Sequence, residues 1–154
     1  MNQFVTEQLI YVLRLVAAAL CGGLIGCERQ SKKKTAGTRT HVIIAVASAM
    51  MMIISKYGFG DVLNEYVKLD PSRVAAGVVT GIGFIFRNNS VNGITTSAGI
   101  WATVGVGMSM GAGMYILGAV STAIVMLSEL FLGRKGYFSR RNGEDKEVEI
   151  EYCE

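Results

Sequence analysis

A chain of 154 residues that is 51% hydrophobic and 18% charged could still be soluble, but its charges fall into three blocks at 28–39, 56–73 and 134–154. The nearly uncharged stretches between them mark an integral membrane protein. The net charge of +3 comes with no basic stripe interleaved with aromatics, which argues against nucleic-acid binding, and three scattered cysteines and one histidine leave no disulfide framework and too few N/S ligands for zinc.

Five apolar segments follow in chain order, at about Leu9–Gly26, His41–Ser55, Val74–Phe86, Ile94–Met110 and Ala112–Leu132. Each is read as a helix, because ~20 residues at ~1.5 Å rise cross a ~30 Å hydrocarbon core. The expected fold is all-α: a polytopic membrane helical bundle of about five transmembrane helices, the third one short. The lipid bilayer is its first partner. Residues 1–132 form the membrane domain and 133–154 a cytoplasmic tail.

The first segment is long enough to span, and no Lys or Arg precedes it to make a signal-peptide n-region. Arg14 lies about a turn and a half inside it, either as a functional ionisable group or snorkelling outward. Gly22 and Gly26 share one face and suit close helix packing. Cys21 and Cys27 are read as small buried side chains. The following loop carries Arg29, Lys32, Lys33, Lys34 and Arg39, which places it in the cytoplasm.

Glu28-Arg29 closes the first segment and Thr38-Arg39-Thr40-His41 opens the second, so Glu28, Arg29, Arg39, Thr40 and His41 gather at one membrane face. Such a cluster serves as a polar gate, a cation site or a docking surface, or it is a solvated loop that only sets topology. At the far end of the second segment Lys56 can snorkel, with Tyr57 and Phe59 at the interface.

The next loop mixes Lys56, Lys68 and Arg73 with Asp61, Glu65 and Asp70 and is read as external. Asp70 suits a helix N-cap with Pro71 at the first helical position. It is also a weak candidate for a divalent cation, the metal being otherwise unknown. The third segment begins after Arg73 and carries Gly77 and Gly81 on one face, which predicts a packed membrane helix. Gly81-Ile82-Gly83 alone does not support a dinucleotide site. At ~20 Å of helix the segment is short. It thins the bilayer, uses Arg73 and Arg87 as snorkelling ends, or turns back as a re-entrant hairpin. A basic first loop and a basic tail on the same side require an odd number of crossings. Five spans are therefore expected, with the N-terminus outside and the C-terminus cytoplasmic.

Thr95, Thr96 and Ser97 open the fourth segment, where hydroxyls cap backbone groups or bond across helices. Gly99, Thr103, Gly107 and Gly111 recur every four residues along one smooth face. A tight loop around Gly111 joins segments four and five into a hairpin. Glu129, near the end of the fifth, is placed to pair with Arg29 or Arg134. The tail is basic and then acidic, and Val148, Ile150 and Tyr152 alternate with glutamates as in a short strand that is frayed, pairs with a second copy or opens a further domain. No arrangement of nucleophile and base or of paired carboxylates stands out, so no enzyme is expected.

Four motifs, in order and spacing, resemble the MgtC/SapB family of bacterial inner-membrane proteins. They are Gly22-Gly23-Leu24-Ile25-Gly26-Cys27-Glu28-Arg29; Gly37-Thr38-Arg39-Thr40-His41; Asp70-Pro71-Ser72-Arg73 through Gly81-Ile82-Gly83-Phe84; and Gly93-Ile94-Thr95-Thr96-Ser97-Ala98 with Trp101. The resemblance implies a five-helix membrane domain with its N-terminus outside, growth in low magnesium and, in pathogens, survival inside host cells. It also implies a regulatory role, including restraint of the membrane ATP synthase, in a family first regarded as magnesium transporters. The chain departs from the pattern in three places. About five residues after Phe84 are absent, Gly77 replaces a frequent Gln, and the sequence stops in what reads as the first strand of the soluble C-terminal domain that longer members carry. The expected function is that of a non-enzymatic regulator acting through helix contacts with another membrane protein or as a homodimer. It needs no cofactor, with Mg²⁺ as a possible ligand or cargo. Transport of magnesium or another cation is the alternative.

Overall fold

The structure, a computed structural model, describes residues 2–59, 70–88 and 94–131, with side chains described at 4–59, 70–83 and 94–131. The loop with Asp61 and Glu65, the side chain of Arg87, and the tail with Arg134 and its expected strand lie outside the described residues. Among the described residues are five helices and no strand: α1 (Asn2–Ser31), α2 (Thr38–Tyr57), α3 (Ser72–Asn88), α4 (Ile94–Ala112) and α5 (Tyr115–Phe131). The chain is an all-α membrane bundle.

The helices outrun their apolar segments. α1 is 30 residues long, or ~45 Å, half again the ~30 Å of hydrocarbon. It continues through Glu28 and Arg29, which sequence reading puts at its edge. α3 is one continuous helix of 17 residues, ~25 Å, so the re-entrant hairpin is not adopted. Asp70 starts it as expected. Its Oδ1 accepts from the Ser72 N–H at 3.0 Å and the Ser72 hydroxyl at 2.6 Å, with Pro71 in the first turn. The Ser55 hydroxyl, buried at the end of α2, donates to the Pro71 carbonyl at 2.7 Å and ties the two helices together.

Contacts at both ends give the helices alternating directions. One end, here the loop end, holds the α1–α2 turn, the start of α4 and the finish of α5. The opposite end holds the start of α1, the finish of α2, the start of α3 and the α4–α5 turn. The described chain therefore leaves α5 on the side of the basic α1–α2 loop.

α1, α2 and α4 pack closely on one another, and α3 rests on α2 and α4. Small residues make this approach possible. A Cβ on Gly22 would lie 2.7 Å from the His41 carbonyl oxygen, and one on Gly26 2.5 Å from Thr38 Cα. From the other side of α2, Gly107 and Gly111 abut the carbonyls of Ala45 and Ala49. The core around them is Ala18, Cys21, Ile25, Ala45, Ala49, Val106 and Met110, with Val125 and Met126 of α5 packed against it. Cys27 is exposed, against the expectation, because it lies at the rim of the α1–α2 contact, where its Sγ accepts from the Thr38 hydroxyl at 3.6 Å.

The outer surface is built the other way. Leu9, Leu13, Leu20, Leu24, Ile43, Trp101, Ile116, Ile124 and Phe131 are all more than half exposed, while Arg29, His41, Ser48, Thr96 and Thr103 are buried. Large apolar side chains outside and polar ones inside is the partition that lipid selects.

Two helix ends close with the same turn. At α4, Gly113 (φ +86°) returns its N–H to the Met110 carbonyl and Met114 to that of Ser109, a Schellman cap. The pivot is thus Gly113, while Gly111 stays in the helix against α2. At α1, Lys33 takes the left-handed position (φ 53°), bonding Gln30 while Lys34 bonds Arg29.

Candidate functional site: a buried arginine–histidine cluster

The last turns of α1 carry the most heavily constrained polar group. Arg29 is 0% exposed. Its Nη1 donates to Glu129 Oε1 of α5 at 2.6 Å and its Nη2 to Thr96 Oγ1 of α4 at 3.2 Å. Gly99 supplies the seat for the guanidinium, since a Cβ there would come within 2.7 Å of Nη1. A guanidinium stays charged at all ordinary pH, and Glu129 is its counter-ion in the interior. The Lys32 ammonium donates to the Glu129 backbone carbonyl and pairs with Glu28 Oε1 at 2.5 Å. One helical turn of α1 thus holds both the side chain and the backbone of α5 near its end.

His41 adjoins this group from α2 and is also 0% exposed. Its Nδ1 lies 2.7 Å from Thr103 Oγ1 of α4, whose hydroxyl donates to the Gly99 carbonyl at 2.9 Å. Arg29 Nε, His41 Nε2 and Glu28 Oε1 are buried and have no hydrogen-bond partner among the described residues, although Glu28 is ion-paired with Lys32.

The opposite end has its own cationic cluster. Arg14 Nη1 donates to the Gly111 carbonyl at 3.0 Å and to Tyr57 Oη at 3.1 Å, and Nε to Tyr115 Oη at 3.3 Å. The guanidinium lies 5.2 Å from the Tyr57 ring centre, a cation–π distance. Lys56 Nζ donates to the Ala112 carbonyl at 2.8 Å. With the Schellman bonds, the last four carbonyls of α4, from Ser109 to Ala112, all have partners. Arg14 and Lys56 are therefore helix caps that also complement the α4 dipole. They neither lie free in the membrane nor merely snorkel.

Of the sequence candidates, the structure brings Arg29, His41 and Thr96 together. Glu28 pairs with Lys32 instead. Arg39 is exposed, Thr40 half-buried, and Thr95 exposed beside buried Thr96. Arg73 is exposed near Asp70, whose carboxyl is held below the usual range by the Ser72 hydrogen bonds. Gly22 and Gly26 pack, whereas a Cβ on Gly77, Gly81 or Gly83 would meet nothing within 4 Å. The Gly77–Gly81 face of α3 is bare among the described residues. Among the described residues no three of His, Cys, Asp or Glu are grouped to hold a metal ion. Thr103 and Gly99 were legible only as members of a small-residue stripe, because packing and hydrogen bonding use the same residue types there. The Arg14 partners had no local signal, being separated by 43 and 101 positions.

Residues 15–136 match the MgtC family. The chain belongs to that family. YhiD of Escherichia coli strain K12, a candidate magnesium transporter by name, is 51% identical over 124 residues, covering 76% of this chain and 58% of YhiD. SapB of Bacillus subtilis is 37% identical over 129 residues, covering 79% and 56%. MgtC of Salmonella typhimurium is 34% identical over 128 residues, covering 79% and 52%. The chain thus spans little more than half the length of these relatives. No solved structure matches it. The whole described cluster, from Arg14 to Glu129, lies within or one residue outside the matched range, so it belongs to the MgtC membrane domain of a bacterial membrane protein.

Proposed function

We propose that this chain is a non-enzymatic regulator in adaptation to low magnesium or host-cell stress, acting through contact of its helices with another membrane protein. The observation that carries this is the contrast among its glycines. Gly22, Gly26, Gly107 and Gly111 are pressed against α2, but the Gly77–Gly81 face of α3 touches none of the described residues of its own chain. Small residues on a lipid-facing helix suit close approach by a second helix. The basic α1–α2 loop supports an orientation with that end in the cytoplasm and the N-terminus outside.

A second reading, a transporter of magnesium or another cation, is favoured by the name of the E. coli relative and by ionisable groups buried in the bundle. It is the weaker one. Mg²⁺ needs free oxygen ligands, while Glu28 and Glu129 are each matched by a cation. A buried guanidinium also repels a divalent ion.

The deciding experiment is recovery of tagged protein from cells grown at low Mg²⁺. The native chain should bring down one membrane protein reproducibly, and Gly77→Leu/Gly81→Leu should lose it without loss of folding, since both positions open to space. Equal recovery by the double variant, or self-association alone, overturns the proposal. Mg²⁺ flux into liposomes by the native chain would instead establish the transporter.

A further inference from the structure

The cations at the two ends of the bundle are balanced differently. At the loop end Arg29 pairs with Glu129 and Lys32 with Glu28. At the opposite end no carboxylate among the described residues pairs with Arg14 or Lys56. Glu7 lies about two turns, or ~10 Å, before Arg14 on α1, and the Asp70 carboxylate is engaged by Ser72. Arg14 bonds the Gly111 carbonyl and Lys56 the adjacent one of Ala112. The two charges are therefore neighbours, 5.2 and 5.3 Å from the centre of the same Tyr57 ring. The α4 dipole that they complement is worth about half a charge, and the start of α5 at Tyr115 brings an opposite half-charge to the same end. Among the described residues, most of the positive charge there is left uncompensated.

The remaining donors say what balances it. Tyr57 Oη and Tyr115 Oη both accept from Arg14, at 3.1 and 3.3 Å, which leaves each hydroxyl its own proton to donate. Both tyrosines are open to the surroundings, at 41% and 44% exposed. The Lys56 ammonium has three donors, of which the Ala112 carbonyl takes one. Positive charge together with hydroxyl and ammonium donors suits an oxyanion and repels a metal cation. The Tyr11 and Tyr57 rings, otherwise suited to an organic cation, already face Arg14 and Lys56. The place is also telling. α2 stops at Tyr57 and α4 turns into α5 at Gly113, and Tyr11, Tyr57 and Tyr115 form an aromatic belt of the kind found at headgroup depth. Beside the cluster, Leu13 of α1 and Ile116 and Leu117 of α5 are more than half exposed and offer a surface to acyl chains. An oxyanion that carries hydrocarbon and lies at headgroup depth is a phospholipid.

We infer that this end of the bundle binds the phosphodiester of an anionic phospholipid, with Arg14 and Lys56 supplying the charge and the Tyr57 and Tyr115 hydroxyls donating to its oxygens. Charge-assisted bonds to a phosphate are stronger than neutral ones. A lipid of net negative charge is preferred over phosphatidylcholine, whose own ammonium opposes Arg14 and Lys56. The lipid thus takes the place that Glu129 and Glu28 hold at the loop end. This inference is independent of the proposed partner.

The test is native mass spectrometry of the full chain in detergent with equal amounts of phosphatidylglycerol and phosphatidylcholine. The native chain should retain phosphatidylglycerol about threefold over phosphatidylcholine, and Arg14→Met/Lys56→Met should abolish the preference. Lys33, Lys34 and Arg39 are exposed at the loop end and also attract anionic lipid, so Lys33→Gln/Lys34→Gln is the control and should keep most of it. No preference in the native chain, a preference that survives Arg14→Met/Lys56→Met, or an equal loss in the loop variant overturns the inference. Tyr57→Phe/Tyr115→Phe keeps both charges and removes only the hydroxyls. It should lower phosphatidylglycerol retention about twofold, and it decides if the Arg14 variant does not fold, unchanged retention overturning the inference. Excess inorganic phosphate should leave the lipid bound, and its displacement would make this a site for free phosphate instead.

Discussion

Arg14 and Arg29 stand on the same helix about four turns apart, and their surroundings differ in kind. Arg14 is half-buried among three tyrosines and bonds the end of α4. Arg29 is sealed, faces one carboxylate, and keeps an N–H without a partner among the described residues. The difference teaches that an arginine in a membrane helix has two separate uses. Near an interface it satisfies the backbone of another helix and stays replaceable. In the interior it commits the protein to a counter-ion, because its charge cannot be removed by deprotonation.

Substitutions that treat the two ends alike should give unequal results. Glu129→Gln leaves Arg29 as an unmatched buried charge and should cost about 3 kcal/mol, read as unfolding in detergent. Pairing it with Arg29→Met should recover most of that loss, and failure to recover would show that the pair does more than neutralise itself. Gly99→Ala comes next. Its Cβ would crowd a guanidinium held on both sides, at a cost of about 2 kcal/mol. Arg14→Met should cost only about 1 kcal/mol, since water and headgroups replace its bonds to Gly111 and the tyrosines. A loss equal to that of Glu129→Gln would erase the distinction between the ends. Lys33→Gly should stabilise by somewhat under 1 kcal/mol by relieving a left-handed non-glycine residue.

The smallest effect belongs to Asp70. Its carboxyl is held below the usual range by the Ser72 hydroxyl and N–H. A depressed folded value means that its stabilisation is present above the ordinary carboxylate range near pH 4 and is lost as pH falls through the folded value. Asp70→Asn retains an oxygen to cap α3 and should remove that acid-side dependence from the melting curve.

Much of this architecture was legible from hydropathy and charge. Segment order, the Asp70 cap, the Arg29–Glu129 pair and the packing of Gly22 and Gly26 follow from spacing and from the cost of an unpaired buried charge. Other features were not legible, for identifiable reasons. Gly77 and Gly81 have the same four-residue spacing as Gly107 and Gly111, yet only the latter meet a neighbour. Spacing reports a smooth face and says nothing of what lies opposite. Thr96 and Thr95 are adjacent and alike, and only the rotation of α4 sends one toward Arg29. The grouping of Arg14 with Tyr57 and Tyr115 is a product of topology alone.

The completed end of α4 has a consequence for biogenesis. Two of its four terminal carbonyls depend on Arg14 and Lys56, which belong to helices made earlier by a ribosome working from the N-terminus. When α4 emerges, its caps are already in place, and the α4–α5 turn can settle into the bilayer without bare carbonyls in hydrocarbon. The order of the helices in the gene is thus also a workable order of assembly, and moving α1 behind α5 would strand that turn until synthesis ended.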